Sequence, residues 1–184
     1  MERENQSTKL VIGSSMPEFS LLNVDGNMVE KSYFKEAKAA LVTFSCNHCP
    51  YVKGSDEMLL SIMLKYQGEG LKAIAISSND AVQYPEDNFE KMIEKSKNML
   101  LPFPYLYDET QEVAKTFDAQ CTPEFFLFDA ALSLVYHGTI NDSPRDPTNV
   151  TTNYLAIAIE QVLAGKKADP SFIRPMGCSI KWKH

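Results

Sequence analysis

Apolar residues fall along this chain in blocks whose spacing switches between the helical and the extended period, which is the signature of alternating helices and strands. Ala39–Ser45 is a compact apolar run containing Val42 and Thr43, short enough to be a buried central strand. Past Cys49, the residues Val52, Met58, Leu59, Ile62, Met63 and Tyr66 recur at helical spacing until Gly68 and Gly70 stop the pattern. Leu71–Ser77, reading LKAIAIS, then predicts a second buried strand, returning parallel to the first as a crossover requires.

The flanking segments complete a mixed sheet. Residues 16–22 begin the alternation of a short strand, and Asp25-Gly26 reads as a hairpin turn. Residues 85–98 predict an amphipathic helix with Phe89, Met92 and Ile93 on one face, and residues 109–117 another with Val113, Ala114 and Phe117 inward. Residues 124–128 and 132–136 predict an antiparallel hairpin covered by a helix from about 150 to 163. The class is α/β, a central mixed sheet flanked by helices, with an early hairpin and an irregular C-terminal tail. Residues 1–13 are expected to be flexible, residues 14–165 to form the domain, and residues 166–184 to pack back on it through Ile180 and Trp182.

Composition narrows the function. A chain of 184 residues that is 44% hydrophobic supports one core and one domain. A net charge of -6, with lysines scattered, offers no footprint for nucleic acid. The N-terminus lacks the apolar segment of an export signal, and no run reaches a membrane span, so a soluble cytoplasmic protein is expected. Four cysteines are too few for a disulfide scaffold; a close CxxC pair in a reducing compartment points to redox or metal chemistry.

That pair is Cys46-Asn47-His48-Cys49, at the carboxyl end of the first buried strand. A thiolate attacks disulfides, and the positive end of the following helix favours an anion, so Cys46 is the expected nucleophile. Two intervening residues keep the sulfurs together, making Cys49 the expected resolving thiol. His48 either adds positive charge that favours the thiolate or is an exposed histidine without a role. Pro50 suits the first helical turn, where its missing amide is not needed.

The strand ending in CNHCP, the helix after it, the segment PFPYLYDETQEVAKTF, then Thr122-Pro123 and the strand EFFLFD resemble, in that order, the thioredoxin superfamily. They look most like its branch related to alkyl hydroperoxide reductase and thiol-specific antioxidant proteins. The resemblance implies a thioredoxin-like fold, a cis Pro123 facing the dithiol, and backbone at Thr122 that pairs with a partner peptide. The chain departs from typical thioredoxins in carrying Ser45 and Asn47-His48, and from peroxiredoxins in lacking a proline ahead of the cysteines.

A thiol–disulfide oxidoreductase acting on protein thiols or a small thiol reductant, without a cofactor, is the leading expectation. A thiol peroxidase is the second. The third is a soft-metal protein binding Cu(I) or zinc through Cys46, Cys49 and Cys121, because Cys121 would lie across from the dithiol. Cys178, beside Trp182, is either a resolving thiol carried by the tail or part of a packed tail, and packing is favoured. His137 is expected to be structural.

Overall fold

The computed structural model describes residues 10–184; most of the segment expected to be flexible lies outside them. The strands are β1 (Ser20–Asn23), β2 (Met28–Glu30), β3 (Ala39–Ser45), β4 (Leu71–Ser77), β5 (Tyr105–Tyr107), β6 (Cys121–Thr122), β7 (Glu124–Asp129), β8 (Leu134–Gly138), β9 (Phe172–Ile173) and β10 (Cys178–Ser179). The helices are α1 (Pro50–Tyr66), α2 (Phe89–Met99), α3 (Glu112–Phe117) and α4 (Tyr154–Leu163). Eight strands make one sheet in the order β2-β1-β5-β4-β3-β7-β8-β9, and β10 pairs with β6 beside it.

The near-continuous apolar runs occupy the centre because both of their faces are covered. β3 is parallel to β4, with Ala39 opposite Leu71 and Ser45 opposite Ser77. On its other side β3 is antiparallel to β7, with Phe44 opposite Glu124. Successive side chains of a strand point to opposite faces, so β3 feeds two cores. Leu41 packs with Phe125, Leu127, Leu59 and Ile159, the layer under α1 and α4. Val42 and Phe44 join Phe126, Phe128 and Phe117 on the other face. There Phe117 meets Phe44 and Phe126 edge-on, with centroids 5.4 and 5.5 Å apart.

Element boundaries depart from the periodicity where caps intervene. The expected helix over 85–98 splits into a single 3-10 turn, Pro85–Asp87, and α2, because Asn88 accepts the Lys91 amide at 2.9 Å as an N-cap. The helix expected from 109 begins at Glu112, and that expected from 150 begins at Tyr154. β8 starts two residues late because Asp129 accepts the Ala131 and Ser133 amides, both at 3.0 Å, and Leu132 takes a left-handed φ of 57°.

The tail has no periodicity yet contributes two strands. β9 runs parallel to β8, and β10 lies antiparallel to β6, with Cys178 opposite Thr122 and Ser179 opposite Cys121. Ile180 is buried in the same core as Phe117, and Trp182 packs against it. The tail therefore passes the CNHC loop at Cys178 and runs on to bond Gln111 through Lys183.

Candidate active site

Cys46 follows β3 directly, and Cys49 is the residue before α1, which opens with Pro50. The helix end that sequence spacing assigns to Cys46 therefore falls at Cys49, the N-cap position, where unpaired amides favour negative charge. Both thiols are buried, at 0% and 1% exposure.

The Cys49 amide donates to Cys46 Sγ at 3.4 Å. Thr122 brackets the pair: its hydroxyl lies 3.4 Å from Cys46 Sγ, and its carbonyl accepts from Cys49 Sγ at 3.2 Å. The Thr122–Pro123 peptide is cis.

The two sulfurs titrate as one unit. The proton Cys46 donates holds Cys49 down to about 4 against the cost of burial, with smaller contributions from the Cys178 thiol and the Val52 and Cys178 amides. The same proton, then burial, then the Asp87 charge push Cys46 up. The Thr122 carbonyl opposes this, since it favours a protonated Cys49. The Thr122 hydroxyl and the Cys49 amide in turn lower Cys46, so each sulfur has groups that favour its thiolate.

Asp87 organises the loop from behind and is fully buried. It accepts the Asn47 amide at 2.7 Å and the Asn79 side chain at 2.8 Å, and it pairs with His48 Nδ1 at 2.5 Å. His48 also stacks on Tyr84 at 5.8 Å, so its ring is fixed against a carboxylate, with a ring nitrogen within 4.8 Å of Cys46 Sγ. Tyr105 donates to Asn47 Oδ1 at 2.9 Å, and Lys95 to the Cys46 carbonyl at 3.1 Å. Sequence spacing does not reveal Asp87, because it reads as part of a solvated helix start.

The Thr122-Pro123 loop is held from below by Glu124, which accepts the Gln120 and Cys121 amides at 2.7 and 3.1 Å. Its other oxygen pairs with buried His137 at 2.7 Å, and that ring stacks on Phe126 at 4.4 Å. Cys121 is raised by burial and then by the Glu124 charge, which keeps it a thiol. Among the described residues, the potential metal ligands that converge within 4.8 Å are Cys46, His48 and Asp87, and the set Cys46, Cys49 and Cys121 does not. Cys178 packs against the dithiol cluster with Tyr51.

A buried CxxC pair beside a cis-proline loop at the end of a central strand is the arrangement of thioredoxin-like proteins, and this chain has a thioredoxin-like fold. Residues 12–137 match the AhpC/TSA family, and the chain belongs to that family. An uncharacterized conserved protein from Geobacillus kaustophilus is 43% identical, with 95% of this chain and 93% of that one covered and a TM-score of 0.89. A hypothetical protein from Sinorhizobium meliloti is 38% identical over 98% of this chain and 99% of that one, again with a TM-score of 0.89. The thioredoxin domain of a thiol-disulfide oxidoreductase from Bacteroides vulgatus shares the fold, at 18% identity, 74% and 94% coverage and a TM-score of 0.63. Comparison with curated proteins gives no match. Among the described residues, no helix is long and apolar enough to cross a membrane.

Proposed function

We propose that this protein is a thiol–disulfide oxidoreductase that cycles between the Cys46/Cys49 dithiol and its disulfide, exchanging with protein thiols or a small thiol reductant. The observation that carries the reading is geometric: two buried sulfurs in a CxxC loop, the Cys49 amide donating to Cys46 Sγ at 3.4 Å, and Thr122 of the cis Thr122–Pro123 peptide contacting both. Sequence position favours Cys46 as the attacking sulfur, whereas the N-cap position and the lowered thiol favour Cys49. We therefore assign attack to Cys49 and resolution to Cys46. The Cys49 thiolate displaces one sulfur of a disulfide; Cys46 then gives up its proton, attacks Cys49 and releases the second sulfur as a thiol.

Reduction of insulin disulfides by the wild type, Cys46→Ser and Cys49→Ser tests this. Both variants should lose turnover. Cys46→Ser should accumulate a disulfide on Cys49, and Cys49→Ser should accumulate none on Cys46. Turnover in Cys49→Ser equal to wild type sinks the proposal. A peroxidase reading draws on the same charge at Cys49, which also suits attack on a peroxide oxygen; peroxide reacting no faster than with a free thiol in stopped flow excludes it.

A further inference from the structure

Both sulfurs of the dithiol are sealed, and the tail closes the face where Cys178 meets them. Thiol–disulfide exchange needs a thiolate to approach the disulfide along its S–S axis, so access limits the rate as much as charge does. On this face the covering segment is β10, and its Cys178 is only part-buried while packing against Cys49 from outside.

This docking is specific. Gly177 passes so close to the loop that a Cβ there would lie 2.1 Å from the Thr122 carbonyl oxygen. Cys178 pairs with Thr122 across the ladder, the same residue whose hydroxyl and carbonyl contact the dithiol. Beyond it, the Ile180 amide donates to the Gln120 carbonyl at 3.0 Å, and the Lys181 amide to Asn79 Oδ1 at 2.9 Å. The Lys183 amide donates to Gln111 Oε1 at 2.9 Å. Burial, and then the bond to and charge of Cys49, raise the Cys178 thiol, while the cations Lys181 and Arg145 oppose that and favour its thiolate. Arg145 is brought near by a glycine in α1: a Cβ on Gly54 would lie 2.3 Å from the Pro144 carbonyl oxygen.

We infer that Cys178 is the outer thiol of a three-sulfur relay, exchanging with disulfides from solution and passing the oxidation inward to Cys49 and then Cys46. The inference rests on the dithiol reading above. Cys178 loses its proton and attacks a disulfide R–S–S–R′, forming Cys178–S–S–R and releasing R′–S⁻, which takes up that proton. The Cys49 thiolate attacks the Cys178 sulfur, forming a Cys49–Cys178 disulfide and releasing R–S⁻. Cys46 then gives its proton to R–S⁻ and attacks Cys49; the Cys46–Cys49 bond forms and Cys178 leaves as a thiolate, restoring the single negative charge that Cys49 carried. Two thiols become one disulfide in the protein while one disulfide becomes two thiols in the substrate. The neighbouring Arg145 and Lys181 favour substrates bearing carboxylates.

The test is a single turnover of the reduced full chain with a carboxylate-bearing nitrobenzoate aryl disulfide, followed by an acid quench, alkylation and disulfide mapping by mass spectrometry. Formation of Cys46–Cys49 should slow by at least about tenfold in Cys178→Ser, because attack by Cys49 on a pre-positioned disulfide at Cys178 is replaced by bimolecular attack by a covered Cys49 on a disulfide from solution. Cys46→Ser should accumulate Cys49–Cys178, and adding Gly177→Ala to it should lower that yield while leaving all three remaining thiols in the chain. Cys46–Cys49 forming at the wild-type rate in Cys178→Ser overturns the relay and leaves the dithiol reading standing. A yield unmoved by Gly177→Ala overturns the docked geometry on which the relay depends. Absence of any Cys46–Cys49 disulfide in the wild type overturns the dithiol reading and the relay together.

Discussion

Asp87 faces the dithiol from the protein interior, and its three donors, Asn47, Asn79 and His48, fix the CNHC loop around it. Its charge is one of the causes that keep the proton on Cys46. Asp87→Asn should therefore bring Cys46 down, so that the second thiolate of the pair appears at lower pH in an ultraviolet titration. A titration identical to wild type contradicts this account of the pair. The linkage to stability has a definite sign. Cys49 is held at about 4 against an ordinary value of 9.0, so its contribution is complete above the ordinary value and is lost as pH falls towards about 4. Cys46 is raised, and its contribution disappears above its ordinary value. Neither group titrates in the disulfide form, and the part of the Cys121 and Cys178 shifts that comes from the Cys49 charge is lost there with it. The stability of the reduced protein relative to the disulfide form should thus rise with pH from about 4 to about 9 and fall beyond, measured by chemical denaturation; a flat difference contradicts the shared proton. The cysteine pair itself was legible in the sequence. The position of its charge was not, because the helix starts one residue after Cys49 and Asp87 arrives from a distant segment.

Short elements that pair through backbone leave no hydrophobic period. β6 and β10 have two residues each, too few for alternation to show, so the sequence reveals only the anchors Ile180 and Trp182. The seating of the tail depends on Ile180. Ile180→Ala should release it locally, deprotecting the Ile180 and Lys181 amides, which donate to Gln120 and Asn79, in hydrogen exchange. Unchanged protection contradicts that role. The Thr122-Pro123 loop rests instead on Glu124. Glu124→Ala would strand a buried histidine and free the Gln120 and Cys121 amides, costing about 3–5 kcal/mol by urea denaturation, the range for breaking a buried pair by removing one partner. A cost within the range of surface substitutions would mean that His137 and the loop do not depend on it.

Across the whole molecule, the fold was the most legible part, because β3 and β4 are buried on both faces and their runs carry the strand signal undiluted. Their parallel pairing and the hairpin of β7 and β8 follow from connection length and turn chemistry, whereas edge strands and helix starts shifted with local caps. The two cores meet the sheet through adjacent residues, so Phe126→Ala should cost about 3–5 kcal/mol and weaken the floor beneath Glu124 and His137. The same sheet sets the dithiol at the end of β3 and Thr122 at the start of the neighbouring hairpin. The redox couple proposed for this protein is formed by these two sulfurs. It is tested most directly by equilibrating the protein in thiol–disulfide buffers of graded potential and mapping the bonds formed. The expected result is a two-electron transition to a Cys46–Cys49 disulfide, at roughly −270 to −120 mV, the span of dithiol oxidoreductases. A chain whose Cys46 and Cys49 stay unlinked across that range contradicts it.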